Sequence, residues 1–151
     1  MTVAPTPRVG GRLLLVAPDD RLLLIHERIQ DGSTHWLTPG GGVEAGESPQ
    51  AAAAREAVEE VGIEVSIDSE AVLVTQRHWS WDGVVYDQTD HFFLVRLPAV
   101  FEPAPAGLTA MEQVTLLGYG WWSAAELAVT QETVVPRDLG AVLAHLLAEG
   151  R

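Results

Sequence analysis

The chain has 151 residues, of which 47% are hydrophobic and 20% are charged, and it carries a net charge of −12 with no cysteine. This length and composition are typical of one globular domain, and the acidic surface disfavours binding to long nucleic acids or anionic membranes. The lack of cysteine excludes disulfides, zinc–thiolate sites and thiol catalysis. No membrane span or signal peptide is recognisable, so a cytoplasmic location is expected.

The beginning of the chain predicts a tail followed by two strands. Residues 1–8 contain prolines and small residues and are expected to form a flexible tail, with a single domain over residues 9–151. Residues 9–17 are an apolar run that predicts a buried strand. A Pro-Asp-Asp turn follows, and residues 21–27 complete a hairpin. A polar loop then leads into Pro39 and three glycines.

A helix with clustered carboxylates is predicted after these glycines. Ser48 and Pro49 form a helix start, because the hydroxyl caps free amides and proline fits the first helical position. Gly62 is suited to a left-handed stop. At about 100° per residue, a helical wheel separates an acidic face from an apolar face. The acidic face carries Glu56, Glu59 and Glu60, and the apolar face carries Ala51, Ala54, Ala57, Val58 and Val61.

The carboxylate cluster has two interpretations. An acidic helix face is most often simply solvated. Here the cluster follows a glycine-rich turn and Glu47, and Arg55 lies beside it. Carboxylates one helical turn apart repel each other, and a divalent cation would turn this repulsion into coordination. Hard oxygen ligands suit Mg²⁺, so the segment predicts a metal site.

Residues 41–63 resemble the Nudix box of pyrophosphohydrolases, G-x5-E-x7-R-E-U-x-E-E-x-G-U, in which U is a bulky aliphatic residue. Ala57 is the one departure, and we expect it to alter packing but not chemistry. The other specified positions match, with Gly41, Glu47, Arg55, Glu56, Glu59, Glu60, Gly62 and Ile63. The resemblance implies the α/β class and an α/β/α sandwich, with the catalytic helix on one side of a mixed sheet.

The resemblance also implies roles for the residues of the box. Arg55 is expected to orient the ligand carboxylates by pairing with Glu47. The general base is left open between Glu56 and Glu112, with Glu102 as a weaker third candidate. The alternative for Glu112 is a surface glutamate without function. The ligands implied for one or more Mg²⁺ or Mn²⁺ ions are Glu56, Glu59, Glu60 and the carbonyl of Gly40.

The second half of the chain predicts more strands, a loop and two helices. Strands are predicted at residues 71–81, 84–88 and 90–97, the first two joined by an Asp-Gly hairpin turn. Residues 98–113 contain three prolines and predict a loop that could close over a site. A strand is predicted at residues 114–122. Residues 123–126 form a capping box that opens a short helix, and an amphipathic helix is predicted at residues 138–149.

A substrate pocket is predicted beside the strand over residues 71–81. Arg77, Trp79 and Trp81 alternate along one of its faces. A nucleobase could stack on either tryptophan while Arg77 meets a phosphate. The alternative for the tryptophans is packing in the core or at the interface of a homodimer. The polar groups expected near the pocket edge are Gln88, His35 and His91.

Two functions follow from this sequence. The first is metal-dependent hydrolysis of a nucleoside diphosphate linked to another group, such as a nucleoside triphosphate, a dinucleoside polyphosphate, ADP-ribose or a nucleotide sugar. The second is a catalytically silent Nudix-fold module that senses nucleotides. Because all three box glutamates are present, the enzyme is favoured. Removal of messenger-RNA caps is disfavoured, because the sequence has no basic stripe to grip RNA.

Overall fold

The computed structural model describes residues 3–150, so Met1, Thr2 and Arg151 lie outside the described residues. The strands are β1 (Thr6–Val16), β2 (Leu22–Arg28), β3 (Thr34–Leu37), β4 (Gly40–Gly42), β5 (Leu73–Trp81), β6 (Val84–Arg96), β7 (Leu116–Trp122) and β8 (Val134–Val135). The helices are α1 (Pro49–Glu56), α2 (Ala110–Thr115), α3 (Ala124–Val129) and α4 (Leu139–Ala148), and α1 continues into a π-helical turn at Ala57–Val61. Among residues 3–150, no helix is both long and apolar enough to cross a membrane.

The strands form one mixed sheet in the order β5-β6-β1-β2-β3-β8, with β4 paired to β1 and β7 paired to β2. β1 runs parallel to β6 along its whole length. On its other side, β1 pairs with β4 at residues 10–12 and meets β2 only at Val16. The sheet therefore splits on that side of β1, where β2 and β4 diverge.

Helices cover both faces of this sheet, as the α/β/α expectation requires. Successive strand residues point to opposite faces, and Leu13–Val16 are buried on both. Leu13 and Leu15 pack with Ala53 and Val61 of the α1 segment. On the opposite face, the core consists of Leu14, Val16, Leu22, Leu24, Phe92, Leu127, Val134, Leu139, Leu143 and Leu146, which include residues of α3 and α4.

Several local predictions are confirmed. The hairpin between β5 and β6 turns at Asp82 and Gly83, whose φ angles of 51° and 77° are both in the left-handed region. Ser123 opens α3 with a capping box. The final helix begins after Asp138, as expected.

Two segment boundaries differ from the predictions. β1 begins at Thr6 and pairs with β6 from Tyr86 onward, so residues 6–8 are strand and not tail. The parallel ladder gives these residues backbone partners that composition does not reveal. The predicted loop over residues 98–113 ends in α2, because Thr109 and Glu112 form a capping box that the sequence interpretation missed. The following strand therefore begins at Leu116.

The helical wheel predicted the buried face of the α1 segment only in part, because Ala57 and Val61 are buried as expected but two other residues of that face are not. Ala51 is exposed and Val58 is 40% exposed, whereas Ala52, Ala53 and Glu56 are buried. The reason is the close approach of α1 to the glycines of β1 and β4. A Cβ at Gly11 would lie 2.2 Å from the carbonyl oxygen of Pro49. The side of the helix that packs closest therefore includes the start of its acidic face.

Candidate metal and substrate site

The α1 segment begins and ends as its sequence requires. The Ser48 hydroxyl accepts a hydrogen bond from the amide of Ala51 at 3.0 Å, and Pro49 occupies the first turn. The segment ends at Gly62, which adopts a left-handed conformation with φ 77°. A side chain at Gly62 would also lie 2.4 Å from the carbonyl oxygen of Ala104. Glycine at position 62 therefore allows both the left-handed end of the helix and the close packing of the segment that contains Ala104.

Three carboxylates converge beside the end of this helix. One oxygen each from Glu56, Glu60 and Glu112 lies within 4.8 Å of the others. Glu56 is buried, and the other two are half-buried. Glu56 packs over β4, where a Cβ at Gly41 would lie 2.4 Å from its Oε1. The glycine at this position therefore makes room for the carboxylate.

The protonation equilibria of the cluster reflect this crowding. Burial raises the pKa of Glu56 above its ordinary value, although Arg55 acts against this shift. Burial and the charge of Glu56 raise the pKa of Glu60 well above its ordinary value. Carboxylates that share a site disfavour their common ionisation. A divalent cation would reverse this effect, so the donor set suits a hard metal ion.

Glu60 is also held from the side of β4. The Gly40 amide donates to Glu60 Oε1 at 2.8 Å. Gly40 has φ 146°, and a Cβ at this residue would lie 2.7 Å from Cδ of Arg12. The Arg12 charge acts to lower the pKa of Glu60. Gly40 therefore lies between the carboxylates and Arg12, which the sequence interpretation did not select.

Arg55 uses all five guanidinium N–H groups within the helix and its neighbouring turn. Nε and Nη2 donate to the two carboxylate oxygens of Glu47 at 2.9 and 3.0 Å. Nη2 also donates to the Gly42 carbonyl at 3.0 Å. Nη1 donates to Glu56 at 2.8 Å and to Glu59 at 3.2 Å. The hydrogen bonds from Arg55 and from the Glu44 amide lower the pKa of Glu47 from 4.5 to about 2. Arg55 therefore connects the carboxylates to each other.

Glu112 reaches the cluster from the first turn of α2. Its Oε1 accepts from the amide of Thr109 at 2.8 Å, and its own amide donates to the Thr109 hydroxyl at 3.2 Å. This capping box fixes the direction of the side chain. Glu102 is exposed and is not among the three carboxylates that converge. The structure thus places Glu112 beside the carboxylates of Glu56 and Glu60. The Thr-x-x-Glu spacing of residues 109–112 is the sequence feature that could have predicted the helix start that carries it.

A cleft of about 290 Å³ is lined by Arg12, the residue that pairs with Gly40 across β1 and β4. Its other lining residues come from β3, β5, β6 and β8 and from the segments that follow β3 and flank β8. Three arginines contribute to its wall, two from strands and one from the segment that precedes α4. Its polar and charged lining includes Arg12, Thr38, Arg77, Asp90 and Arg137. Its apolar wall includes Leu37, Phe92 and Val134.

Asp90 holds two of these arginines in place. Its carboxylate accepts from Arg77 Nε at 3.1 Å and from Arg12 Nε at 3.5 Å, and its side chain is only 3% exposed. Although burial acts to raise it, the pKa of Asp90 lies below its ordinary value because both guanidiniums favour the charged form. Gln88 donates a further hydrogen bond to Asp90 at 2.8 Å. In the described residues, the terminal nitrogens of Arg77 have no hydrogen-bond partner, and its guanidinium lies 5.8 Å from the Trp79 ring.

The predicted tryptophans lie next to the cleft, along the same face of β5 as Arg77. Trp79 stacks on Tyr86 with ring centroids 4.5 Å apart, and its indole N–H donates to Gln88 at 3.1 Å. The Arg8 guanidinium lies 5.4 Å from the Trp79 ring. Trp81 is half-buried opposite Val84. Arg77 lines the cleft itself, whereas Trp79 and Trp81 are not among its lining residues.

The remaining polar residues singled out in the sequence have different surroundings. Gln88 is buried and belongs to the Asp90 network. His35 is paired with Glu27 across β2 and β3 at 2.8 Å. His91 is half-buried on β6, opposite Val74. Of the three, Gln88 is the residue with a hydrogen bond to a cleft residue.

Comparison with known proteins identifies the family. The sequence profile of the NUDIX domain matches residues 6–144. The chain therefore belongs to the Nudix family. An RNA pyrophosphohydrolase of Roseobacter denitrificans is 32% identical over 142 residues, which cover 82% of this chain and 84% of that protein. An RNA pyrophosphohydrolase of Vibrio cholerae is 37% identical over 78 residues, and this match spans only 44% of either chain.

Solved Nudix structures share the fold. A MutT Nudix hydrolase from Burkholderia pseudomallei superposes with a TM-score of 0.66 at 25% identity, covering 89% of this chain and 95% of that one. The MutT protein of Methanosarcina mazei has a TM-score of 0.72 at 18% identity, over 95% of this chain and 97% of that one, and it shows similarity of fold alone. The protein is thus a Nudix hydrolase with the α/β architecture that the box implied. Nudix hydrolases generally use divalent metal ions, and the Glu56, Glu60 and Glu112 cluster could bind one.

Proposed function

We propose that this Nudix hydrolase cleaves the pyrophosphate bond of a nucleoside diphosphate linked to another group, with Mg²⁺ or Mn²⁺. The observation that carries the proposal is that Gly40 contacts both the carboxylate cluster and an arginine of the cleft. The Gly40 amide binds Glu60, and Arg12 packs on its other side. Gly40 thus links a cleft residue to the carboxylate cluster, and we place the anhydride of a bound substrate beside it.

The ligands that we assign to the metal are Glu56, Glu59, Glu60 and the Gly40 carbonyl. Glu56 and Glu60 belong to the converging set, and Glu59 joins it through the shared Nη1 of Arg55. A bound divalent cation neutralises phosphate charge and makes water more acidic. Arg55 has no N–H group left for a phosphate, so its role is to hold Glu47, Glu56 and Glu59 in fixed directions.

We assign the general base to Glu112. Glu56, the other candidate, already accepts a short hydrogen bond from Arg55 and is the most buried member of the cluster. Glu112 comes from a different element and faces both helix glutamates. Its Oε1 accepts an amide hydrogen bond, which orients the carboxylate and leaves its second oxygen to take the proton from water.

The cleft fits an anionic, nucleotide-type substrate. The terminal nitrogens of Arg77 can bind a phosphate or ribose oxygen while Asp90 fixes Nε. Trp79 and Trp81 extend the same face of β5, where a nucleobase can stack. The chain as a whole has a net charge of −12, so the arginines supply local positive charge in an acidic protein.

Small nucleotides are favoured over long RNA. The relatives named RNA pyrophosphohydrolases make a triphosphorylated RNA end a relevant comparison. Arg12, Arg77 and Arg137 form a basic lining that a linear inspection of the sequence does not reveal. This lining is confined to one cleft and would hold a terminal nucleotide, whereas the acidic surface around it would repel a longer backbone.

A substrate panel tests the proposal. The purified protein is incubated with Mg²⁺ or Mn²⁺ and a nucleoside triphosphate, a dinucleoside polyphosphate, ADP-ribose, a nucleotide sugar or a 5′-triphosphorylated oligoribonucleotide, and products are separated by chromatography. We expect a nucleoside monophosphate from at least one small nucleotide, and faster turnover of it than of the oligoribonucleotide. Hydrolysis of none of these substrates, with nucleotide binding retained, would support the silent binding module instead.

A further inference from the structure

Tyr119 of β7 makes an unusual contact with the backbone of the proposed metal site. Its hydroxyl donates to the carbonyl oxygen of Glu60 at 2.5 Å. Tyr119 is half-buried and packs against the core on the α1 face of the sheet. A phenol is protonated at neutral pH, so Tyr119 is a hydrogen-bond donor there. A side chain from a distant strand thus binds the same residue whose carboxylate faces the metal cluster.

The need for such a donor follows from the end of the helix. The last carbonyls of a helix lack partners within it. Here Glu60 lies in a π-helical turn, and the Gly62 amide donates to Val58 while the Ile63 amide donates to Ala57. These two hydrogen bonds close the turn, but they use only the carbonyls of Ala57 and Val58. The carbonyls of Glu59, Glu60 and Val61 are instead satisfied from outside the helix.

The segment over residues 104–107, which we call the strap, satisfies the other two carbonyls. The amides of Ala106 and Gly107 donate to the Glu59 carbonyl at 2.9 and 3.0 Å, and the Ala104 amide donates to Val61 at 3.1 Å. The strap lies so close that a Cβ at Gly107 would be 3.3 Å from the Glu59 side chain. It continues directly into Thr109 and α2, which carries Glu112.

We propose that Tyr119 and the strap are positioning elements that set the distance between Glu112 and the helix carboxylates before substrate arrives. Tyr119 fixes the peptide of Glu60, and the strap fixes the peptide of Glu59 together with the start of α2. Pro105 limits the freedom of the strap itself, and the capping box limits the freedom between the strap and Glu112. The segment that the sequence predicted as a closing loop is, on this proposal, anchored in the free protein.

The proposal rests on the proposed function for its effects on Mn²⁺ affinity and on kcat, whereas the anchoring of the strap does not depend on that function. Tyr119→Phe removes the hydroxyl and keeps the ring that packs in the core. Without that donor, the Glu60 peptide can rotate and its carboxylate is held less well. Because supporting hydrogen bonds around metal ligands are worth about ten- to a hundredfold in affinity or rate, we expect a loss of this size in Mn²⁺ affinity and in kcat, with KM within about twofold of wild type.

The first experiment measures Mn²⁺ binding to the free protein by electron paramagnetic resonance titration, followed by kcat and KM on the substrate identified above. Ser123→Ala is the matched control, because it removes a hydroxyl cap of α3 that is remote from the cluster. It is expected to lower thermal stability as Tyr119→Phe does, but to leave Mn²⁺ affinity and kcat unchanged. If Tyr119→Phe, like Ser123→Ala, lowers thermal stability but leaves Mn²⁺ affinity and kcat unchanged, the hydroxyl has only a structural role and the proposal is overturned.

The second experiment needs no variant. Amide hydrogen exchange of the metal-free protein reports whether the strap is anchored. We expect slow exchange at Ala104, Ala106 and Gly107, comparable to that of the α1 segment. Exchange at the rate of an unstructured chain at all three amides would show a mobile loop and would overturn the proposal, whatever substrate the enzyme hydrolyses.

Discussion

Arg55, at the edge of the acidic helix face, donates hydrogen bonds to both carboxylate oxygens of Glu47. The contacts run from Nε at 2.9 Å and from Nη2 at 3.0 Å, while Nη1 reaches Glu56 and Glu59. One planar group thus joins the turn before the helix to two glutamates on it. Lysine has three donors on a single nitrogen and cannot reproduce this arrangement.

Arg55→Lys is therefore expected to lower kcat by about ten- to a hundredfold with little change in KM. The charge is retained, so a purely electrostatic role would leave the rate largely intact. Steady-state kinetics on the best substrate of the panel checks this, with circular dichroism as the control for folding. A loss confined to KM would mean that Arg55 touches substrate phosphate, contrary to its five internal acceptors.

Glu60→Gln is expected to lower turnover by orders of magnitude and to preserve the fold. The sequence interpretation placed Glu60 on a solvated face, whereas it is half-buried and accepts from the Gly40 amide. The glutamine carbonyl can accept the same bond, so no cavity or unpaired amide results. Near-wild-type turnover with Mg²⁺, or an unfolded variant, would contradict the assignment of Glu60 as a ligand.

The same variant should change how stability depends on pH. The pKa of Glu60 is raised in the folded protein above its ordinary value of 4.5. A group of this kind contributes stability that is complete below its unfolded pKa and is lost as the pH rises through its folded pKa. Metal-free wild-type protein should therefore lose stability relative to Glu60→Gln as the pH rises above the ordinary value of 4.5. Thermal denaturation across this range measures the difference, and a constant offset would disprove it.

Hydrolysis is expected to require a divalent cation and to rise with pH into the alkaline range. Glu56 and Glu60 must lose their protons before they bind metal, and their raised pKa values shift this loss upward. The general base must also be deprotonated. Excess EDTA should abolish activity and added Mg²⁺ should restore it. Undiminished activity in EDTA would rule out the metal-dependent mechanism.

Asp90→Asn tests the arginine network of the cleft. Asp90 is buried between Arg77 and Arg12, so removing its charge leaves two guanidiniums without their carboxylate. We expect a loss of about 3 kcal/mol in the free energy of unfolding, at the lower end for a broken buried pair because Arg77 is 25% exposed. KM should also rise, because Arg77 loses the partner that orients it.

Asp87→Asn is the matched control on the same strand. Asp87 is 43% exposed and pairs with His78, which is 66% exposed. Its replacement should change stability by less than about 0.5 kcal/mol and leave KM unchanged. Chemical denaturation and steady-state kinetics of both variants decide the point. Equal effects of the two substitutions would show that the buried network has no special role.

The sequence alone determined the features that depend on short-range rules. The serine cap, the Gly62 stop and the hairpin turn at Asp82 and Gly83 each follow from the conformational preferences of a few adjacent residues. The spacing of the box residues likewise predicted the family, and the match over residues 6–144 confirms that prediction. The same spacing predicted a metal-type site. A helical segment with this spacing brings the carboxylates together whatever surrounds it.

Only the tertiary structure decided which face of the helix is buried and which distant residues join the site. Arg12 and Asp90 are 78 residues apart and meet because β1 and β6 run parallel in a particular register. Glu112 and Tyr119 reach the helix through the strap and β7. Periodicity within a segment specifies which side chains share a face, but not which other segment approaches that face. That choice depends on register and on the close contact that Gly11 and Gly41 allow.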